Sequence, residues 1–385
     1  METFTGTEYL YISIANTFGI KGTFQDRINW VKANESDLEN KATEAHEELL
    51  YAKAVRTLRK TQQGISTGFL CGLDATCSGA QLMSVLMGCK SGIYATGLGD
   101  PDKPADAYTS LIECMNSKLK TAIDRMRKDT KQAFMTFLYG SKAKPIEIFG
   151  KGTSAYASFF EAMDEMVPGA VELRNLLIKA WNPKALEHTF TMPDGFEAVI
   201  RTTDNVSYEF SIDNLPDAKY VLHYKAFQAK AFSLELAAHV IHAFDGFIVR
   251  EMNRRCNYNP DMIGEVYNLL RSFCKGRIAE PSKTFISLNM ISEMTALDMN
   301  TLCRLRDLCE EVLQHRSFDL LCIHDNFLAH PNHMNNVRYW YKEILAELSE
   351  SNALENVLYE LYGEEFTIEK EDIAPLIRNS NYGIH

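Results

Sequence analysis

The sequence predicts a mainly α-helical α+β protein with a small antiparallel β-component, and three observations predict it. Apolar residues recur at helical spacing along most of the chain. Two short apolar runs, GFLCGLD and FDLLCIHD, stop abruptly on an aspartate, as strands do where they meet a turn. Residues 188–224, HTFTMPDGFEAVIRTTDNVSYEFSIDNLPDAKYVLHY, are rich in β-branched and aromatic residues and are broken by Pro-Asp-Gly and Asp-Asn, which predicts a β-hairpin region.

Taken in order, ENKATEAHEELLYAKAVRTLRK reads as a helix, and GFLCGLD as a strand ending at Asp74. GLGDPDKPADAY carries the Gly, Asp and Pro punctuation of a loop, and a long helical stretch follows through Leu138, closed by Tyr139 and Gly140. After the hairpin region, helical patterns occupy 231–255, 260–274 and 299–315. The apolar run before Asp325 resumes as NFLAH, so His324 and Asp325 form a hairpin tip. No internal repeat, heptad run or low-complexity tail interrupts this order.

At 385 residues, 46% hydrophobic and 24% charged, the composition is that of a globular protein with one large or two medium domains. No apolar stretch reaches the roughly 18 residues that a membrane span needs, and METFTGTEYL lacks the pattern of a signal peptide. A cytoplasmic protein with no membrane role is expected. Nine cysteines without a C-x-x-C pair read as reduced, buried thiols. The net charge of -11 excludes a uniform coat of basic residues, yet Lys118, Lys120, Arg125, Arg127, Lys128, Lys131, Lys142, Lys144 and Lys151 outnumber Asp124, Asp129 and Glu147 in one segment. That segment suits a polyanion.

Asp74 and Asp325 are each delivered by a strand to a turn, where a carboxylate is held yet open to solvent. Two such groups on neighbouring strands could hold two Mg2+ ions, which prefer oxygen ligands and keep waters and substrate phosphates. A metal pair about 4 Å apart stabilises both the attacking and the leaving oxygen of an in-line phosphoryl transfer. Each aspartate alone reads equally as a turn residue. In RKDTKQAFMTFLYGSK, Arg127, Lys131 and Tyr139 fall on a helical face roughly 120° wide. Cations at its start can hold a triphosphate, and an aromatic at its end can close a sugar pocket. A solvated amphipathic helix is the plain alternative. His324, His330 and His333 could suggest a transition metal, but their carboxylate company favours the oxygen-preferring ion.

Together and in this order, these strings resemble the single-subunit RNA polymerases of bacteriophages and mitochondria. DATCSGAQ resembles the family's first motif, D-x-x-C-S-G-x-Q; RKDTKQAFMTFLYG resembles the second, R-x3-K-x7-Y-G; IHDNF resembles the third. ISIANTFGIKGTFQDRINWVKAN is similar to the segment before the first motif, DAY (106–108) lies at the family's distance after Asp74, and HTFTMPDGF resembles the start of a promoter-reading hairpin. HAFDG (242–246) matches H-x-x-D-G, and IRNSNYGIH is similar to a short C-terminal foot.

The resemblance implies a right-hand polymerase with palm and fingers, the thumb and N-terminal domain being absent. Palm would comprise 1–103 and 242–385, the latter with an insertion at 256–317, and fingers would comprise 104–241. Asp74 and Asp325 would bind two Mg2+ ions. Arg127 and Lys131 would contact the nucleoside triphosphate, with Lys131 donating a proton to the leaving pyrophosphate. Tyr139 would favour ribose, His242 would support that choice, Tyr108 would line the template or nucleotide site, and His324 would steady Asp325 or the primer end.

Departures from the family carry their own expectations. The match begins almost at Met1, and CKGR (274–277) lies after the second motif, so it cannot supply the T/D-x-x-G-R sequence that precedes the first. The chain is therefore similar to the large catalytic subunit of the split, two-subunit RNA polymerase of certain podoviruses. A smaller partner carrying the thumb and T/D-x-x-G-R is expected beside DNA template, RNA product and NTPs. The hairpin region has few cations to read bases, mainly Arg201 and Lys219, so an auxiliary single-stranded-DNA-binding or promoter-opening factor is expected. Two rivals remain. A DNA polymerase of the related bacterial repair class would carry D-Y-S-Q-I-E where this chain has DATCSG, and an inactive nucleic-acid-binding subunit would have lost at least one of Asp74, Lys131 or Asp325.

Overall fold

The computed structural model describes residues 1–120 and 127–385, so Asp124 and Arg125 of the basic segment lie outside the described residues. Helix α1 (Gly6–Phe18) starts on a capping box in which Thr5 and Glu8 satisfy each other's backbone N–H groups, and α2 (Phe24–Ala33) repeats the device with Thr23 and Asp26. Of the long helix expected at ENKATEAHEELLYAKAVRTLRK, only α3 (Glu48–Gln62) forms. The segment before it holds turns and a short 3-10 piece, because its apolar residues are too sparse to cover a helical face.

Strand β1 (Cys71–Asp74) leads into α4 (Ser78–Leu86) and α5 (Lys90–Ala95). A helical layer follows: α6 (Ala107–Ser117), α7 (Arg127–Leu138), α8 (Ala143–Phe149), α9 (Ser154–Met166) and α10 (Pro168–Lys179). The region expected to form a hairpin forms two, β2 (Glu187–Thr191) with β3 (Glu197–Arg201), and β4 (Thr203–Ile212) with β5 (Leu215–Phe227). The second is a long ribbon with nearly every residue of β4 exposed and an aromatic row along it; Tyr208–Phe210 and Phe210–Tyr220 centroids are 6.2 and 5.8 Å apart.

Helix α11 (Glu235–Cys256) runs back through the core, followed by α12 (Pro260–Phe273), α13 (Met299–Val312), β6 (Leu321–Ile323), β7 (Asn326–Ala329), α14 (Met334–Glu350), α15 (Ala353–Tyr362) and α16 (Ala374–Asn379). A single apolar cluster spans the chain from Tyr9 to Ile384. Among the described residues no helix is long and apolar enough to cross a membrane. All nine cysteines are free thiols, and seven are buried.

Strands β1, β7 and β6 form one antiparallel sheet with β7 in the middle. Its register pairs Asp74 with Asn326 and Ile323 with Asn326, which leaves His324 and Asp325 as a two-residue turn. The run before Asp325 reads as a buried strand, but Leu321 and Ile323 are 49% and 54% exposed. As the edge strand, β6 packs only one face. Central β7 does the anchoring instead, with Phe327 and Ala329 buried.

Candidate active site

The sheet brings the two aspartates to neighbouring strand ends. The Ala75 N–H donates to the Asp325 carbonyl at 3.2 Å, continuing the β1–β7 ladder one step past Asp74. From the other side the chain's last residues clasp β1: Ala75 bridges to Ile384, and the His385 N–H donates to the Asp74 carbonyl at 3.0 Å. Asp74 and its partner Asn326 line one cavity of about 660 Å³, while Asp325 lines a second of about 480 Å³ with Ser78, His242, Asp245, His324 and Tyr341. The two aspartates at the end of the sheet thus line two different cavities.

Their charges are coupled. Burial raises the Asp74 carboxyl to about 6, the nearby Asp325 charge adds to the shift, and the Lys131 ammonium opposes it. Asp245 is pushed further, to about 7, again by burial first and Asp325 second, against a hydrogen bond with Ser78. Three carboxyl groups therefore crowd one electrostatic site that a cation would relieve. Among the described residues no group of three or more His, Cys, Asp or Glu side chains is placed to hold a metal on its own. Two close carboxylates leave coordination positions to water and substrate oxygens.

Helix α7 supplies cations and an aromatic. The Arg127 guanidinium and Lys131 ammonium both stand over the Tyr108 ring, 5.0 and 5.4 Å from its centroid. Arg127 Nε also donates to Asp106 Oδ2 at 2.6 Å, and that same carboxylate caps α6 by accepting from the Tyr108 and Thr109 N–H groups. Tyr108 itself is buried edge-on against Phe134, with centroids 5.6 Å apart, so it serves as the floor beneath the cations.

Cys77 explains its place in DATCSGAQ by packing. Its thiol meets the Tyr108 hydroxyl and lies 3.4 Å from Met135 Sδ, joining the first motif to α6 and α7. Among the described residues Cys77 (φ 57°) and His324 (φ 56°) are the non-glycine residues with positive φ, and they flank Asp74 and Asp325. Left-handed backbone at such residues costs about 1–2 kcal/mol each and gathers at functional sites.

Tyr139 follows the last turn of α7, half-buried, with its ring 5.2 Å from that of His242. Its hydroxyl is held protonated by burial, reinforced by the Asp245 charge. Gly79 makes the close approach possible, because a Cβ there would lie 2.7 Å from the Tyr139 hydroxyl. Behind it the buried Arg174 caps α7, its Nε donating to the Phe137 carbonyl at 2.6 Å and its Nη2 to that of Gly140 at 2.8 Å. The other histidines go elsewhere: His333 stacks on Phe318 at 4.4 Å, and His330 lies 6.2 Å from His333.

Asp245, Asp106 and Gly79 were read only as members of HAFDG, DAY and DATCSGAQ, without a role of their own, and Arg174 escaped the reading of the sequence. Asp245 was detectable, since it lies one turn beyond His242 on the same helical face. Asp106 sits in the helix-capping position of DAY. Arg174 leaves no local signal, because its partners lie more than thirty residues away.

A search of curated proteins returns no match. Residues 3–147 match the family model of DNA-dependent RNA polymerase, a span that carries Asp74, Tyr108, Arg127, Lys131 and Tyr139 and stops before His242, His324 and Asp325. Over that span the chain is similar to the DNA-dependent RNA polymerase family.

Proposed function

We propose that the chain is the catalytic subunit of a DNA-directed RNA polymerase, adding nucleotides to an RNA 3'-hydroxyl on a DNA template with release of pyrophosphate. The observation that carries this is the adjacency of Asp74 and Asp325 at paired strand ends, within electrostatic reach of Lys131. An oxygen-only donor pair in which Asp74 is raised by burial first and by the Asp325 charge second suits Mg2+. When bound, two such ions would neutralise charge on the attacking and leaving oxygens.

The chain's own residues do the rest. Lys131 neutralises charge at the leaving pyrophosphate and is the proton donor to it. Arg127 takes the triphosphate by exchanging its exposed pair with Asp106, a contact worth at most about 1 kcal/mol that a phosphate readily outcompetes. Tyr139 and His242 shape the sugar side, and Tyr108 supports both cations from below. His324 holds Asp325 in the turn. The DNA polymerase alternative expects a carboxylate in the first motif to block the ribose 2'-hydroxyl; here Gly79 lies against Tyr139.

The test compares NTP with dNTP incorporation on an RNA primer annealed to DNA, with Asp325→Asn alongside. NTP preference lost in the variant supports the proposal; dNTP preference, or activity surviving in Asp325→Asn, overturns it. The proposal extends to a smaller partner chain carrying the thumb and T/D-x-x-G-R, and to a promoter-opening factor. A stoichiometric second chain in enzyme recovered from native cells supports the former, and efficient initiation by the isolated chain on linear duplex DNA refutes the latter.

A further inference from the structure

Helix α12 leaves half of its apolar face open. At about 100° per residue its apolar side chains fill an arc roughly 160° wide, from Leu269 round to Tyr267. Ile263 and Leu270 are buried on the side of that arc that packs on α13. On the other side Met262 and Leu269 are each 46% exposed, Phe273 is 60% exposed, and Val266 lies half-buried between them. Just past the helix Ile278, at 89%, is the most exposed large apolar side chain among the described residues. By contrast α13 buries Leu305, Leu308, Cys309 and Val312 and turns no such row to solvent.

The open row is built rather than frayed. Asn259 caps α12 by accepting from the Asp261 and Met262 N–H groups, and Pro260 opens its first turn. Arg306 of α13 fastens the far end by donating to the Cys274 and Arg277 carbonyls at 3.4 and 3.0 Å. Met262, Val266, Leu269 and Phe273 follow one another at intervals of four, three and four residues, the seam by which one helix packs along another. Charge sets the direction of the second helix. Asp261 and Glu265 stand in the first half of α12, and Arg271, Lys275 and Arg277 stand at and beyond its end. A parallel copy would set like charges side by side, whereas an antiparallel copy sets the acidic start of each against the basic end of the other. The mixed signs do not suit a lipid surface, which selects a polar face rich in lysine and arginine.

We infer that this face pairs with the same face of a second copy of the chain, the two α12 helices running antiparallel about a twofold axis between Val266 and Leu269. Such an axis brings Met262 of each copy onto Phe273 of the other, a thioether against an aromatic ring. The same axis makes the seam self-complementary in charge. The open row is smaller than the roughly 800 Å² per partner of a standard interface, so the pair forms by mass action at high concentration. None of the residues placed at the active site lies on α12, and the inference holds or fails independently of the polymerase reading.

The experiment is sedimentation velocity of the full chain across a range of concentrations, with hydrogen exchange of α12 beside it. Wild type is expected to be a monomer at about 1 μM and to pair at about 100 μM, less so as salt is raised. Leu269→Glu is expected to abolish pairing at an unchanged thermal midpoint, since the position is half exposed. Asp261→Lys with Glu265→Lys, and Lys275→Glu with Arg277→Glu, should each weaken self-association about tenfold, and an equimolar mixture of the two variants should pair as wild type does. A chain that stays monomeric at the higher concentration, pairing that survives Leu269→Glu, or pairing strengthened by salt overturns the inference. Protection of α12 that arises only when another protein of the assembled enzyme is added would assign the face to that protein and also overturn it.

Discussion

Gly79 and Tyr139 show how a residue without a side chain can set where a neighbouring ring sits. The ring of Tyr139 sits against α4 because nothing projects from position 79, and a methyl there would need the tyrosine hydroxyl to retreat. Gly79→Ala is therefore expected to lower discrimination between NTP and dNTP about tenfold, at a helix-propensity gain that offsets part of the strain. Incorporation ratios and thermal midpoints measured together decide it, and an unchanged ratio with a raised midpoint would remove Tyr139 from sugar choice. Titration gives a second residue-scale prediction. Asp74 and Asp245 titrate near 6 and 7 when folded, against 3.8 for a free aspartate, so between about 4 and 7 the folded chain binds protons that the unfolded chain has released. Stability from these groups therefore falls as pH rises through that window. Buried His385, lowered to about 4, pulls the opposite way, because stability linked to it rises from its folded value toward 6.5. The clean quantity is the difference between wild type and Asp245→Asn. In metal-free buffer, wild type should lose more urea resistance than the variant between pH 5 and 8, and Mg2+ at pH 8 should restore part of the loss. Equal pH profiles would show that Asp245 ionises normally. The paired aspartates were legible because each ends an apolar run, whereas Asp245 lies mid-helix and showed only through its place one turn beyond His242 in HAFDG.

Elements were legible where one face is buried and obscure where neither is. Helices α11, α12 and α13 match their sequence patterns within a few residues, since each buries an apolar stripe. Strand β6 misled, because an apolar run signals burial only when both faces pack, and the edge position leaves Leu321 and Ile323 open. The hairpin region hid its count for a related reason: β4 is exposed almost throughout, so no alternation of buried and exposed residues marks where one hairpin ends. In its first turn, buried Asp194 is taken up by Arg250 at 2.6 Å and Arg254 at 2.7 Å. The β4–β5 ribbon is thus the part of this region left open, carrying Tyr208, Tyr220 and Tyr224 outward. Two-stranded ribbons gain little stability of their own. Replacing residues 206–224 by a short Gly-Ser turn should leave the unfolding transition and primed extension close to wild type while abolishing initiation at duplex promoters by the enzyme assembled with its partner chain and opening factor. Loss of cooperative unfolding in the shortened chain would show instead that the ribbon is part of the core.

At the scale of the whole molecule, α11 carries the site and a buried charge network carries α11. Arg255 is fully buried, with Nη1 and Nη2 donating to Glu347 of α14 at 2.9 and 2.6 Å. Glu251, one turn earlier, accepts from the Ser287 hydroxyl at 2.5 Å and from Arg254 at 2.7 Å, and Arg254 continues to Asp194 in the β2–β3 turn. Three separated stretches of sequence are tied to one helix through these groups, and no local pattern announces it. Such a network is costly to break and less costly to remove. Glu347→Gln alone should cost about 3 kcal/mol, because the buried Arg255 charge then keeps only the looser pair with Glu251, 3.5 Å from its Nε. Arg255→Met with Glu347→Leu should recover much of that loss, since both charges leave together and apolar volume replaces them. Urea unfolding of the two single variants and the pair measures the coupling directly. Because His242 and Asp245 ride on α11, the single variant should also raise the KM for NTP well below its unfolding midpoint, and the double variant should bring it back. Recovery of stability without recovery of KM would mean that the network holds the fold but does not position the face of α11 that carries His242 and Asp245.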